Sequence, residues 1–129
     1  MLINSLKDQK EFDLVSRRGK KLRTAYFLLI VAKDFTDIVL SPINTVFFGM
    51  KVSRKLGKAV IRNKIKRRIR HLVRLVSKVP GFDLHNWGMT IIPQKGFEKV
   101  DFASLLDEMQ KGLQSTINYR KPIAPQSLI

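Results

Sequence analysis

Residues 57–78 read GKAVIRNKIKRRIRHLVRLVSK, and two patterns overlap in them. Ile61, Ile65, Ile69, Leu72, Val73 and Val76 recur at three- and four-residue steps, the spacing of an amphipathic helix. At about 100° per residue they share one stripe, which has to be buried against another part of the fold. Arg62, Asn63, Lys66, Arg67, Arg70 and Arg74 occupy the adjoining arc, and Lys64, Arg68 and His71 take the remaining flank. No Asp or Glu occurs from Ile38 to Phe82, so no carboxylate on the helix neutralises these cations by i,i+4 pairing. A solvated helix face ordinarily mixes the two signs. A face of one sign calls for a polyanion.

The whole composition points the same way. Twenty-five Lys and Arg against ten Asp and Glu leave a formal net charge of +15 on 129 residues. A 44% hydrophobic content is enough for one real core, so the charge belongs to a folded domain. There are no cysteines, which excludes disulfides and cysteine-rich zinc sites and suits a reducing compartment. The longest apolar run, Ala25–Ala32, is too short for a membrane span, and the first residues, MLIN, carry no secretion-signal pattern. These features predict a small, soluble, cytoplasmic protein with no membrane association and no obligate protein partner. Residues 1–119 are expected to form its single domain. Residues 120–129, with Pro122 and Pro125, read as a disordered tail.

Working outward from the basic helix, Asp8-Gln-Lys-Glu11 resembles a capping box opening a short helix that runs to Gly19, with Phe12 and Val15 inward. Arg17, Arg18, Lys20, Lys21 and Arg23 form a second basic cluster. Tyr26–Ala32 is rich in aromatic and β-branched residues and predicts a strand, with a short one before it near Lys20–Thr24. Residues 34–44 read as a loop, and Val46–Ser53 as the next strand, where Gly49 marks a bulge or a close backbone approach. The basic helix stops near Val79-Pro80-Gly81. Gly88–Pro93 is a third apolar run, of strand length. Asp101 caps a last helix carrying Phe102, Leu105, Leu106, Met109, Leu113 and Ile117 at helical spacing. The order α-β-β-β-α-β-α predicts an α+β fold: a sheet of about four strands with helices packed on one face.

Phe48–Arg70, FGMKVSRKLGKAVIRNKIKRRIR, resembles the signature of the bacterial ribonuclease P protein family. There a strand ending Val-Ser-Lys-Lys leads through Gly into Arg-Asn-Arg-x-Lys-Arg-x-x-Arg. Here the strand ends Val52-Ser53-Arg54-Lys55, and Arg62, Asn63, Lys64, Lys66, Arg67 and Arg70 stand at the same offsets. Phe12 in an acidic context, Arg17-Arg18-Gly19-Lys20 before an apolar strand, and Ile91-Ile-Pro-Gln-Lys-Gly96 extend the likeness from about Leu6 to Ile117. The resemblance implies a fold like ribosomal protein S5 domain 2, with a left-handed β-α-β crossover around the basic helix. It further implies an accessory subunit of a ribonucleoprotein endoribonuclease, whose RNA subunit removes the 5′ leader of precursor tRNA. Mg²⁺ is then expected on the RNA subunit and substrate, and this chain carries no catalytic or metal-ligating residue. Departures are Lys64 for Arg, Ser16 and Ile30 where the family often has aromatics, and Gln94-Lys95 for a basic pair.

The candidate contacts to RNA are Arg54, Lys55, Arg62, Asn63, Lys64, Lys66, Arg67, Arg70 and Arg74. Arginine suits bidentate phosphate contacts, and Asn63 can bond a phosphate, a 2′-hydroxyl or a base edge. A single-stranded leader needs an aromatic platform beside a basic groove. Phe12 is the family-matched platform, although an amphipathic helix needs a buried aromatic in any case. Strand alternation sets Tyr26, Leu28 and Ile30 opposite Phe27, Leu29 and Val31 and puts the first set toward the cleft. Lys51, Ser53 and Lys95 complete the cleft set. Phe47 and Phe48 read as core, and His71 as a further RNA-facing polar residue. No HExxH, acidic metal pair or Ser-His-Asp pattern stands out to make the chain itself a nuclease. A ribosomal or chromatin-type binder would share the charge. A membrane-surface or calmodulin-type helix fits poorly, because neighbouring strands need the apolar stripe.

Overall fold

In a computed structural model, which describes residues 2–6, 9–33, 45–79 and 87–115, the chain runs through five strands and three helices. These are β1 (Leu2–Ser5), α1 (Gln9–Arg18), β2 (Lys20–Arg23), β3 (Phe27–Ala32), β4 (Thr45–Met50), α2 (Ala59–Ser77), β5 (Trp87–Pro93) and α3 (Phe102–Gln114). One mixed sheet has the order β1-β4-β5-β3-β2. β4 pairs in parallel with both β1 and β5, while β3 pairs antiparallel with β5 and β2. The basic helix α2 is therefore the crossover between two adjacent parallel strands.

The stripe of α2 is buried as its spacing requires: Ile65, Ile69 and Leu72 are fully covered, and Val73 and Val76 nearly so. They meet Phe27, Leu29 and Val31 of β3, Val46 and Phe48 of β4, Met89 and Ile91 of β5, and Leu105, Met109 and Leu113 of α3. The alternate residues point the other way. Ile30 and Ala32, with Leu28, Phe47 and Ile92 at their margin, pack under Phe12, Leu14 and Val15 of α1. Helices thus cover both faces of the sheet, where the sequence predicted one. The reason is visible in β3: FLLIVA is apolar at every position, as a strand buried on both sides must be.

The sequence reading also lacked β1. Four residues, LINS, are too few to show a period, and their strand character comes from parallel pairing, Leu2↔Thr45 through Ser5↔Phe48. β4 ends at Met50, not at Ser53. Arg54–Leu56 form a 3-10 turn in which Gly57 N–H donates to Arg54 O at 3.2 Å, and Gly57 has φ 142°, a value that favours glycine. Asp8, loop 34–44, Pro80 and Gly81, Ile117, and the tail 120–129 lie outside the described residues.

α3 begins as expected, with the Asp101 carboxylate accepting from Ser104 N–H at 3.3 Å. Near its end, a Cβ added at Gly112 would sit 3.7 Å from Leu22 Cδ1 and from Leu29 Cδ2, ordinary van der Waals contact. Gly112→Ala should therefore stabilise the protein by about 1 kcal/mol through helix propensity. Urea unfolding checks this as a raised midpoint with an unchanged slope.

Candidate nucleic-acid interface

The two flanks of α2 meet different surroundings. On one, Arg68 Nη1 donates to Phe97 O at 2.9 Å and Nη2 to Val100 O, while the guanidinium lies 5.9 Å from the centroid of the Phe102 ring. His71 stacks on the same ring, centroids 5.0 Å apart and planes tilted by 32°. Arg68 thus ties α2 to the turn before α3. His71, expected to face RNA, remains exposed but lays its ring along this seam.

The other flank is open. Lys66, Arg70 and Arg74 overhang a groove of about 500 Å³, together with Val73. Its opposite wall comes from Ile3, Ser5 and Leu6, and its floor from Phe12 and the end of β4, Phe48 to Met50. The groove exists because β1 stops at Ser5 while β4 continues, and because α1 and α2 leave this end of the sheet on opposite faces. Asn63, Lys64, Arg67, Arg70 and Arg74 are exposed, Arg62 and Lys66 half-buried. No cation on this helix forms an ion pair with a described residue, and Arg62 Nε is buried with no hydrogen-bond partner among them. Arg54 and Lys55 are exposed on the 3-10 turn that leads into the helix.

Phe12 is where α1 touches this site, and its position depends on Gly49. A Cβ on Gly49 would lie 2.5 Å from Phe12 Cε1 and Cζ and 2.9 Å from Leu6 Cδ1, so only glycine admits the ring there. Lys51 Nζ stands 5.6 Å from the ring centroid, at cation–π range. Phe12 is half-buried, seated on the sheet on one side and lining the groove on the other. The glycine in the strand is accordingly a close approach and not a bulge.

The other cleft candidates separate. Ile30 is 2% exposed beneath α1 and belongs to the core, so it offers no surface for a ligand. Tyr26 does not alternate with Leu28. Thr24 Oγ1 accepts from the N–H groups of Tyr26 and Phe27 at 3.2 and 3.1 Å, and the Thr24 hydroxyl donates to Phe27 O at 3.0 Å. This turn delays the strand to Phe27 and leaves Tyr26 against the α2–α3 side of the core. Leu28 is half-exposed on the α1 face, as expected. Lys51 and Ser53 are exposed on the link after β4, and Lys95 on the turn after β5, where Gln94 N–H donates to Tyr26 O at 3.0 Å. Ile92 was missed, although alternation along β5 puts it beside Leu28. Arg23↔Leu28 and Leu28↔Ile92 are cross-strand pairs, and the bond from Lys51 N–H to Ile91 O aligns Lys51 with them. Arg23, Leu28, Ile92 and Lys51 thus form one row across the sheet, next to the row Ile30–Thr90–Gly49 that α1 covers.

Similarity to known proteins covers this whole arrangement. Residues 3–116 match the family model for Ribonuclease P. The Ribonuclease P protein component of Rickettsia conorii is 50% identical over 112 residues, 86% of this chain and 95% of that protein. The one from Rickettsia bellii is 47% identical over 122 residues, 94% and 100% of the two chains. Among solved structures, the RNase P protein from Thermotoga maritima superposes with a TM-score of 0.67 at 28% identity, covering 88% of this chain and 98% of that one. The Staphylococcus aureus RNase P protein, 20% identical, shares the fold with a TM-score of 0.68 over 90% and 97% of the chains. With a basic crossover helix flanking an open groove, and with relatives matching nearly end to end, this chain belongs to the ribonuclease P protein family.

Proposed function

We propose that this chain is the RNA-binding subunit of ribonuclease P, acting in the cytoplasm on the 5′ leader of precursor tRNA together with a catalytic RNA. The observation that carries this reading is the arc of α2 cations, unpaired among the described residues and opening on the groove that Phe12 lines. Arg62, Lys66, Arg67, Arg70 and Arg74, with Arg54 and Lys55 at the helix entry, take phosphates of the RNA subunit and release its condensed counterions. Asn63, exposed within that arc, bonds a 2′-hydroxyl or base edge. Lys64 adds charge toward the α3 side. Phe12 offers a ring on which a leader base stacks, Lys51 holds the adjoining phosphate, and Leu28 and Ile92 form an apolar floor.

Mg²⁺ held by the RNA subunit and substrate, and by no residue of this chain, would supply Lewis-acid activation of water in this scheme. The protein contributes positive charge where two RNA strands converge, which lowers the Mg²⁺ needed to bring them together. Ser53 and Lys95 stand at the same end of the sheet, within reach of a strand that passes Lys51.

The decisive experiment is cleavage of a precursor tRNA by a bacterial ribonuclease P RNA at low Mg²⁺, with and without this protein. Stimulated 5′ cleavage, and none by the protein alone, is expected. RNA binding without stimulation would make the chain a structural RNA binder instead.

Two neighbouring arginines should separate in the same assays. Arg67→Ala should weaken binding of the RNA subunit and leave the unfolding midpoint unlowered or slightly raised. Arg68→Ala should destabilise the fold by about 1.5–3 kcal/mol, the range for hydrogen bonds to charged groups. Thermal melting and filter binding, run side by side, check the contrast.

Gly49→Ala should push the Phe12 ring off the sheet and reduce leader affinity about tenfold, in the range of one lost base stack. Affinity for the RNA subunit should hold. Adding Phe12→Ala to Gly49→Ala should cost leader binding nothing further, a non-additivity that a double-mutant cycle reads directly.

A further inference from the structure

Apart from Arg23 at the end of the row across the sheet, the second basic cluster has no part in the site described so far. Arg17 and Arg18 end α1, Lys20, Lys21 and Arg23 lie on β2, and all five are exposed. None forms an ion pair with a described residue: Asp13, one turn before Arg17, accepts instead from Gln9 Nε2 at 2.9 Å. A helix C-terminus favours the two arginines and an edge strand tolerates lysine, but neither preference accounts for Arg17, Arg18, Lys21 and Arg23 standing on the same side of the sheet, with Lys20 alone turned to the other.

The sheet decides where this patch faces. Leu22 packs into the α2–α3 core opposite Leu29, so Lys21 and Arg23 turn to the α1 face, opposite Ile30 and Leu28. Arg23 is thereby the far end of the row Arg23–Leu28–Ile92–Lys51, whose near end carries Phe12. Arg23 and Lys51 are three strand spacings apart, about 14 Å, or about four nucleotides at a stacked rise of about 3.4 Å. The row is half-exposed and apolar in the middle and cationic at both ends.

We propose that the cluster at the end of α1 and along β2 is a second RNA contact, which takes backbone phosphates of the leader after it has passed Phe12 and crossed Leu28 and Ile92. This rests on the leader reading above and extends it. The strand enters between Phe12 and Lys51, runs across the sheet, and leaves over Arg23 and Lys21 toward Arg17 and Arg18. Contacts of this kind read charge and length, not sequence.

Fluorescence anisotropy with single-stranded RNA tests the track on the full chain. The probes are oligonucleotides of about three nucleotides, too short to reach from Lys51 to Arg23, and of about ten, titrated between about 50 and 200 mM salt. Wild type should bind the longer one more tightly. The double variant Lys21→Ala/Arg23→Ala should lose that increment while the short oligonucleotide binds as before. For the long one, its salt slope should shrink by about 1.4, so the fourfold salt step costs it about sevenfold less affinity than it costs wild type. Lys99→Ala/Lys111→Ala removes the same charge elsewhere and should leave the increment intact. Equal losses for both lengths, an equal effect of the control pair, or a loss seen only with duplex RNA would overturn the proposal. Failure of Phe12→Ala to weaken the short oligonucleotide would instead remove the leader reading beneath it.

Discussion

Burial of one stripe of α2 holds this structure in the form its charge requires. The helix carries no carboxylate, so its like-charged neighbours at i,i+4 each cost about 0.2–0.5 kcal/mol, and no side chain caps its first turn. Against this, Ile65, Ile69, Leu72, Val73 and Val76 lose essentially all contact with water. At about 1.5–3 kcal/mol for each buried aliphatic side chain, their sum is on the order of 10 kcal/mol and outweighs the repulsion. The sheet therefore fixes the orientation of the helix, and the orientation fixes which cations reach solvent. Function on the polar side is set by packing on the apolar side.

The same burial sorts residues of one chemical type into different tasks. Arg67 and Arg68 are adjacent, yet a 100° rotation takes one to solvent and the other to the Phe97 and Val100 carbonyls. Those carbonyls open and close the turn before α3, so Arg68 helps set the distance between the two helices. Phe12 is sorted in a comparable way by a residue on another element. With any side chain at position 49 the ring could not lie on β4, and the groove would lose its aromatic floor.

Much of this could be read from the sequence because the elements that carry it are long and strongly patterned. The basic helix, its buried stripe, the α3 cap at Asp101 and the apolar runs of β3 and β5 all follow from periodicity and capping chemistry. What escaped was set by tertiary contacts or by a single turn. β1 is defined by its partner and not by its own four residues. Ile30 and Leu28 share a face, but only the reach of α1 decides that one is sealed and the other half-open. Alternation failed at Tyr26 because the Thr24 hydroxyl gathers two backbone N–H groups and delays the strand. A continuous apolar strand shows that both faces are covered, yet the sequence reading put the helices on one face from the order of the elements alone.

The charge that would suit this protein to a polyanion also works against its free state. A net +15 on 129 residues raises the free energy of any compact form through self-repulsion, and a polyanion that binds only the folded chain removes that cost as it binds. Cations on the solvent side of α2 are thus destabilising before the complex forms and stabilising after it. Arg68 is the exception on that helix, because its charge is already spent on carbonyl oxygens. Replacing an outward cation by a neutral residue should then favour the isolated protein slightly and weaken the complex, while replacing the inward one harms both. The opposition of these two effects separates a charged surface held for a partner from one that merely keeps a protein in solution.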